Sequence, residues 1–174
     1  RIESLLPTSA DALWFGTFHG LSHRMLRRHW REARLPQSFQ ILDQDDQERL
    51  VRKIIREQKL DEQRWVPREV QNFINSSKDE GRRSKNLADR NDPTRKQLTH
   101  LYQLYEARCE AAGVVDFAEL MLRSFEILRD VPDLGQYYRV RFRHILVGEF
   151  QDTNGIQYDW IRQLVGNTRA PLVL

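Results

Sequence analysis

The sequence has one cysteine, Cys109, so no disulfide can form within the chain, and a reducing, cytosolic setting is expected. Cys109 lies among Tyr105, Glu106, Ala107 and Arg108, helix-compatible neighbours, and reads as a small buried hydrophobe rather than a reactive thiol. No run approaches the roughly 18 consecutive apolar residues that a membrane-crossing helix needs. None of the eight glycines is followed by lysine. The Gly-x-x-x-x-Gly-Lys-[Ser/Thr] loop that cradles nucleotide phosphates is therefore missing from this sequence. A strong excess of one charge is missing as well. The 28 Lys and Arg against 25 Asp and Glu, a net charge of +3, do not by themselves announce a nucleic-acid partner. The opening at Arg1, without methionine, and the finish inside an apolar stretch read as an internal piece of a longer chain.

What is there suffices for one domain or two incomplete ones: 174 residues, 40% hydrophobic and 30% charged. Residues 12–15, 144–147 and 172–174 are short apolar runs that read as strands. Almost everything between the first and second run reads as helix. Strands at the margins and helices in the middle predict an α/β fold with mainly helical content, one sheet interrupted by a helical insert.

Leu21, Met25, His29, Trp30 and Ala33 recur at helical spacing after Thr17. Asp43 to Asp46 suit a cap for a helix through Val51, Ile54 and Ile55. Pro67 suits a first turn and Gly81 a C-terminal stop, and Asp92-Pro93 and Gly113 bracket another long helix. Asp116 and Glu119 have capping-box spacing, Pro132 restarts a helix, and Asn154-Gly155 precedes the last one. Residues 76–91 are polar, highly charged and poor in apolar side chains, and are expected to form a mobile loop.

Two constellations carry chemistry. Gly148-Glu149-Phe150-Gln151-Asp152-Thr153 follows the strand at 144–147. A carboxylate at the C-terminal end of a buried strand is where open α/β sheets place ligands. A lone glutamate there is more often part of a solvated turn. Gly16-Thr17-Phe18-His19-Gly20-Leu21 marks a strand-to-helix junction. Helix-start N–H groups, a hydroxyl and an imidazole suit a phosphate backbone, and the aromatic ring suits a base. A helix N-terminus with a core phenylalanine is the simpler alternative. Arg24, Arg27, Arg28, Arg31 and Arg34 are expected to line one helix flank, where a polyanion or acidic neighbours would offset their repulsion. Lys78, Arg82, Arg83 and Lys85 fall in the expected loop and would be free to touch duplex backbone.

Residues 145–154 resemble the Walker B region of UvrD/Rep-type superfamily 1 DNA helicases, and residues 16–20 resemble the motif of the same family that contacts single-stranded DNA. The stretches Phe39-Gln40-Ile41-Leu42-Asp43, Phe73-Ile74-Asn75, Lys78-Asp79-Glu80-Gly81 and Val115-Asp116-Phe117-Ala118-Glu119-Leu120 resemble the 1B insert of its UvrD (DNA helicase II) branch. The likeness covers nearly the whole chain in the right order. It departs from the family where the Mg²⁺-binding aspartate stands, since this position is Gly148. The resemblance implies a partial RecA-like P-loop NTPase domain (residues 1–17 and 143–174) carrying an all-α 1B insert (residues 18–142). It implies Glu149 as catalytic base, Gln151 as the residue sensing the γ-phosphate, and Thr17, Phe18 and His19, with Arg24, Arg28 and Arg31, as DNA contacts. It implies ATP and Mg²⁺ as cofactors of the whole protein, with no metal ligand at position 148. Its partners would be single-stranded DNA and the single/double-strand junction, with repair proteins and no membrane, in a bacterial cytoplasm at the nucleoid. The chain alone, without a P-loop, is expected not to hydrolyse ATP. Two rivals are a non-catalytic DNA-binding or partner-docking module, favoured by Gly148, and a helical scaffold without nucleic acid.

Overall fold

The computed structural model describes residues 13–87 and 92–166, and the backbone of 172–173. Seven α-helices appear among them: α1 (Phe18–Arg28), α2 (Gln44–Glu57), α3 (Pro67–Asp79), α4 (Pro93–Ala112), α5 (Phe117–Asp130), α6 (Pro132–Arg141) and α7 (Gly155–Val165). Four two-residue strands accompany them: β1 (Gln40–Ile41), β2 (Val114–Val115), β3 (Ile145–Leu146) and β4 (Leu172–Val173). β1 pairs with β2 and β3 with β4, both parallel. The chain is mostly helical with a small parallel sheet component, as expected.

Capping chemistry sets most helix starts. Side-chain oxygens of Thr17, Asp43, Asp92, Asp116 and Asn154 accept from the free N–H groups of α1, α2, α4, α5 and α7. Asn154 and Gln157 close a reciprocal capping box. Proline opens α3, α4 and α6, where its missing N–H costs nothing. Gly113 ends α4 with φ +65°, and a Cβ there would lie 2.8 Å from the Pro36 ring.

Two apolar cores result. One gathers Met25 and Leu26 of α1, Met121 and Phe125 of α5, Tyr138 of α6 and Trp160 of α7. The other packs Val51 and Ile55 of α2, Ile74 of α3 and Leu101, Tyr102 and Tyr105 of α4. The first core runs without a break across positions 17/18 and 142/143, because Trp14, Phe18 and Ile145 pack against the same cluster as Tyr138.

Several expectations are corrected. α1 stops at Arg28 rather than running on through Ala33. The chain then tightens into turns, with Arg34 left-handed (φ +53°) and Leu35 N–H bonded to Trp30 C=O at 2.8 Å. This turn swings Ala33, Leu35 and Phe39 into the core, which a straight helix could not do. Ala12 lies outside the described residues, and Leu13–Phe15 are not a strand, having no paired ladder among those residues. The stretch expected to be all-α holds the β1–β2 pair, too short to leave a periodic signal.

The largest correction concerns residues 76–91. Through Leu87 this segment is built into the fold: α3 runs to Asp79, and a 3-10 turn covers Ser84–Asn86. Residues 88–91 lie outside the described residues. Lys78 and Arg83 are ligands of a buried ionic cluster, not free duplex contacts. Lys78 Nζ lies 2.6 Å from Asp116 Oδ2 and 3.0 Å from Glu119 Oε2. Arg83 reaches Glu119 at 2.8 Å, Glu126 at 2.6 Å and Glu106 at 3.2 Å. Arg123 adds a 2.7 Å bond to Glu119, and Tyr105 donates to Asp116 at 2.7 Å. The sequence looked like a solvated loop because these carboxylates sit on α4 and α5, remote in the chain. Burial by itself would raise the Glu119 carboxyl, but Lys78, Arg83 and Arg123 outweigh it and hold it well below the usual carboxylate range. Cys109 is buried beside the cluster, and burial pushes its thiol up to about 11, which fits a structural hydrophobe.

Candidate functional site

The C-terminal end of β3 and the N-terminus of α1 face one another across an open cleft. One wall is Gly16, Thr17, Phe18, His19 and Leu21, and the other is residues 145–149 with Asp152 and Thr153. Gln157, Trp160 and Ile161 of α7 complete it. Thr17 and Glu149 therefore share one cavity, although 131 positions separate them in the numbering.

The Thr17 side chain accepts from Gly20 N–H at 3.2 Å, so the hydroxyl is committed to the start of α1. Gly16 has φ +152°, a conformation that strains any L side chain, which suits the sharp entry into α1. Phe18 meets Trp160 edge-on, ring centroids 6.2 Å apart. This contact joins the α1 wall to α7, which follows the acidic segment. His19 meets Phe117 edge-on at 6.1 Å, and Phe117 is 49% exposed. The sequence pointed to Phe117 only as part of a stretch that resembles the 1B insert, with no DNA-contacting role. Its placement beside His19 depends on α5 packing against α1, for which no local signal exists.

Glu149 is exposed and left-handed, with φ +54° and ψ +40°. A glutamate in that region carries strain of the kind that clusters at functional sites. Gln151 Nε2 donates to Glu149 Oε2 at 2.6 Å, tying the two expected site residues together. A Cβ built on Gly148 meets nothing within 4 Å, so position 148 has room for a side chain.

The arginine row divides. Arg27 folds inward, stacking 3.9 Å from the Phe39 ring centroid and bonding to the carbonyls of Gln37 and Phe39. Arg31 lies over Trp30, beyond the end of α1, and Arg34 occupies the turn. Arg24, Arg27 and Arg28 are all exposed on α1, but the Arg27 guanidinium is held by the Gln37 and Phe39 carbonyls, which leaves Arg24 and Arg28 as its freer neighbours. The single flank was an artefact of extending the helix past Arg28.

A parallel strand ending in an acidic loop, faced by a helix N-terminus across a cleft, is the arrangement of ligand-binding α/β domains. Over residues 1–174 the chain matches the UvrD/REP helicase N-terminal domain, and it belongs to that family. It is 49% identical over 174 residues to DNA helicase II of Escherichia coli (strain K12), covering 100% of this chain and 24% of that protein. It is 36% identical over 171 residues to ATP-dependent DNA helicase UvrD1 of Mycobacterium tuberculosis (strain ATCC 25618 / H37Rv), covering 95% and 22%. It is 31% identical over 165 residues to ATP-dependent DNA helicase PcrA of Bacillus subtilis (strain 168), covering 94% and 22%. The chain thus spans about a quarter of the length of these relatives. No helix among the described residues is long and apolar enough to cross a membrane.

Proposed function

We propose that this chain is the strand-gripping and water-activating part of an ATP-dependent DNA helicase whose whole protein translocates on single-stranded DNA and unwinds duplex. The observation that carries the reading is the shared cleft of Thr17 and Glu149. Thr17, Phe18 and His19 are the proposed single-strand contacts, with Arg24, Arg28 and Arg31 beyond them. Glu149 is the proposed base for the attacking water, and Gln151 the residue that couples its state to the nucleotide. The 2.6 Å bond between them supports that coupling: a phosphate oxygen competing for the Gln151 amide would release the carboxylate. The Phe18–Trp160 contact would carry displacement of the acidic segment to the DNA wall. In domain terms, residues 1–17 and 143–174 belong to a RecA-like unit and 18–142 to a 1B insert, with one core shared across both junctions. The whole protein would act on single-stranded DNA and junctions, alongside repair proteins, in the bacterial cytoplasm at the nucleoid.

ATP and Mg²⁺ serve the whole protein in this reading, but the described residues of this chain do not make a metal site. Gly148 offers no ligand, and among the described residues no group of three His, Cys, Asp or Glu side chains is placed to hold a cation. No phosphate-cradling loop is present in the sequence. The isolated chain is therefore expected to show no ATP hydrolysis, and Mg²⁺-dependent turnover above a Glu149→Gln control would refute this. Gly148 also favours a second reading, in which the whole protein has lost hydrolysis and keeps DNA binding. Steady-state ATP hydrolysis by the full-length protein, with and without single-stranded DNA, decides between them. DNA-stimulated turnover supports the helicase and removes the second reading.

Phe117 extends the proposed single-strand site, because an exposed ring beside His19 offers a base a stacking surface. In the full-length protein Phe117→Ala is expected to weaken single-strand binding by about 1–3 kcal/mol, the usual worth of one stacked base. Fluorescence anisotropy with a labelled oligothymidylate measures it. Unchanged affinity would remove Phe117 from the site.

A further inference from the structure

Three arginines from two helices meet on one exposed face with no carboxylate partner among the described residues. Arg24 and Arg28, four residues apart on α1, share a flank. Arg141 ends α6, which meets the end of α1 through a 2.9 Å contact between His29 Nε2 and the Tyr138 hydroxyl. The Arg24 guanidinium lies 4.8 Å from the centroid of the Trp14 ring, and that ring meets Tyr138 edge-on at 5.3 Å. On the other side, Arg141 Nη1 lies 3.5 Å from the hydroxyl of Tyr137, whose ring is 5.1 Å from Tyr138. Tyr138 is itself fully buried, and Arg28, Arg141 and Arg24 are the cations that act on its hydroxyl. Arg24 is spent on the Leu13 carbonyl and Arg141 on a hydroxyl, both neutral, and none of the three forms an ion pair among the described residues. Glu32, the acid in this turn, sits against His29 instead.

Like charges gathered over one aromatic cluster repel, and a bound anion relieves them. Guanidinium groups suit phosphate oxygens in particular, through paired N–H donors. The face also begins where the cleft ends, because Leu21 lines the cleft and Arg24 stands one turn further along the same helix. We propose that Arg24, Arg28 and Arg141 form a phosphate track that carries a single strand leaving the cleft along α1 to α6, with the half-exposed Tyr137 at its far end. Arg141 and Tyr137 are thereby drawn into DNA binding by a helix that the sequence motifs do not mark. The proposal rests on reading the cleft as the single-strand site.

The test uses the full-length protein, oligothymidylates of increasing length and anisotropy at several salt concentrations, comparing wild type with Arg28→Ala/Arg141→Ala. The variant is expected to bind an oligomer of about four nucleotides, confined to the cleft, as wild type does. It should bind longer oligomers about tenfold more weakly, with a salt slope reduced by about 1.4, from two single-strand contacts at about 0.7 each. Arg28→Lys/Arg141→Lys should recover most of the slope. Equal affinities and slopes at every length overturn the track. A loss confined to duplex DNA overturns it too, as does a lowered melting temperature with binding unchanged. If Phe117→Ala still weakens binding in that case, the cleft reading stands alone. If wild type shows no salt-sensitive binding at all, the cleft reading has failed first.

Discussion

Glu149→Gln in the full-length protein should lower DNA-stimulated ATP hydrolysis by about 10²–10⁴-fold, the usual contribution of a positioned general base. Single-strand affinity should stay within about twofold. The two readouts separate because the carboxylate belongs to the acidic loop, whereas the strand contacts come from the opposite wall of the cleft. The amide keeps the size of the side chain but cannot take a proton from water. Equal turnover in variant and wild type, measured at saturating DNA, would remove Glu149 from the chemistry. Gly148→Asp is the companion experiment. The backbone at 148 is not left-handed, and a Cβ there meets no atom within 4 Å, so a side chain can start from this position without backbone strain. It is expected to lower the Mg²⁺ concentration that half-saturates hydrolysis. An unchanged Mg²⁺ dependence would mean that position 148 does not face the cation.

Lys78→Met is expected to destabilise the chain by about 3 kcal/mol, at the low end of the cost of breaking a buried pair. Lys78 is 2% exposed and neutralises two carboxylates, Asp116 and Glu119, that are almost as deeply buried. The low end applies because Tyr105 still bonds Asp116, and Arg83 and Arg123 still bond Glu119. Urea unfolding of the 174-residue chain measures the loss, and a change under about 0.5 kcal/mol would show the lysine to be dispensable. Asp116 also caps α5 immediately before Phe117, so the variant should disturb the proposed stacking surface as well as stability.

The same cluster sets an acid limb. The folded Glu119 carboxyl titrates below its ordinary value of 4.5, so its contribution is complete above that pH and is lost as pH falls through the folded value. Wild type should hold its urea midpoint between about pH 5 and 8 and lose it below about 4.5. Lys78→Met weakens the pull on Glu119, so the acid limb of the variant should be shallower. A steeper limb in the variant would contradict the assignment of Lys78 as a main partner.

Local chemistry was largely written in the chain. Thr17, Asp43, Asp92, Asp116 and Asn154 cap helices because a short polar side chain reaches only the N–H groups two or three residues ahead. Pro67, Pro93 and Gly113 mark ends through backbone geometry that no distant contact has to supply. The acidic loop and the helix-start motif were legible for the same reason, and membership of the UvrD/REP family agrees with them. Tertiary structure decided the rest. Only the packing of α3 against α4 and α5 turns Lys78 and Arg83 from apparent loop charges into buried ligands, since whether a charge is solvated depends on carboxylates tens of residues away. Only the packing of α1 with α5, α6 and α7 sets Phe117 beside His19 and Arg141 on the same face as Arg28. Sequence spacing reports which side chains share a helix face, while burial and pairing are properties of the surfaces that meet it.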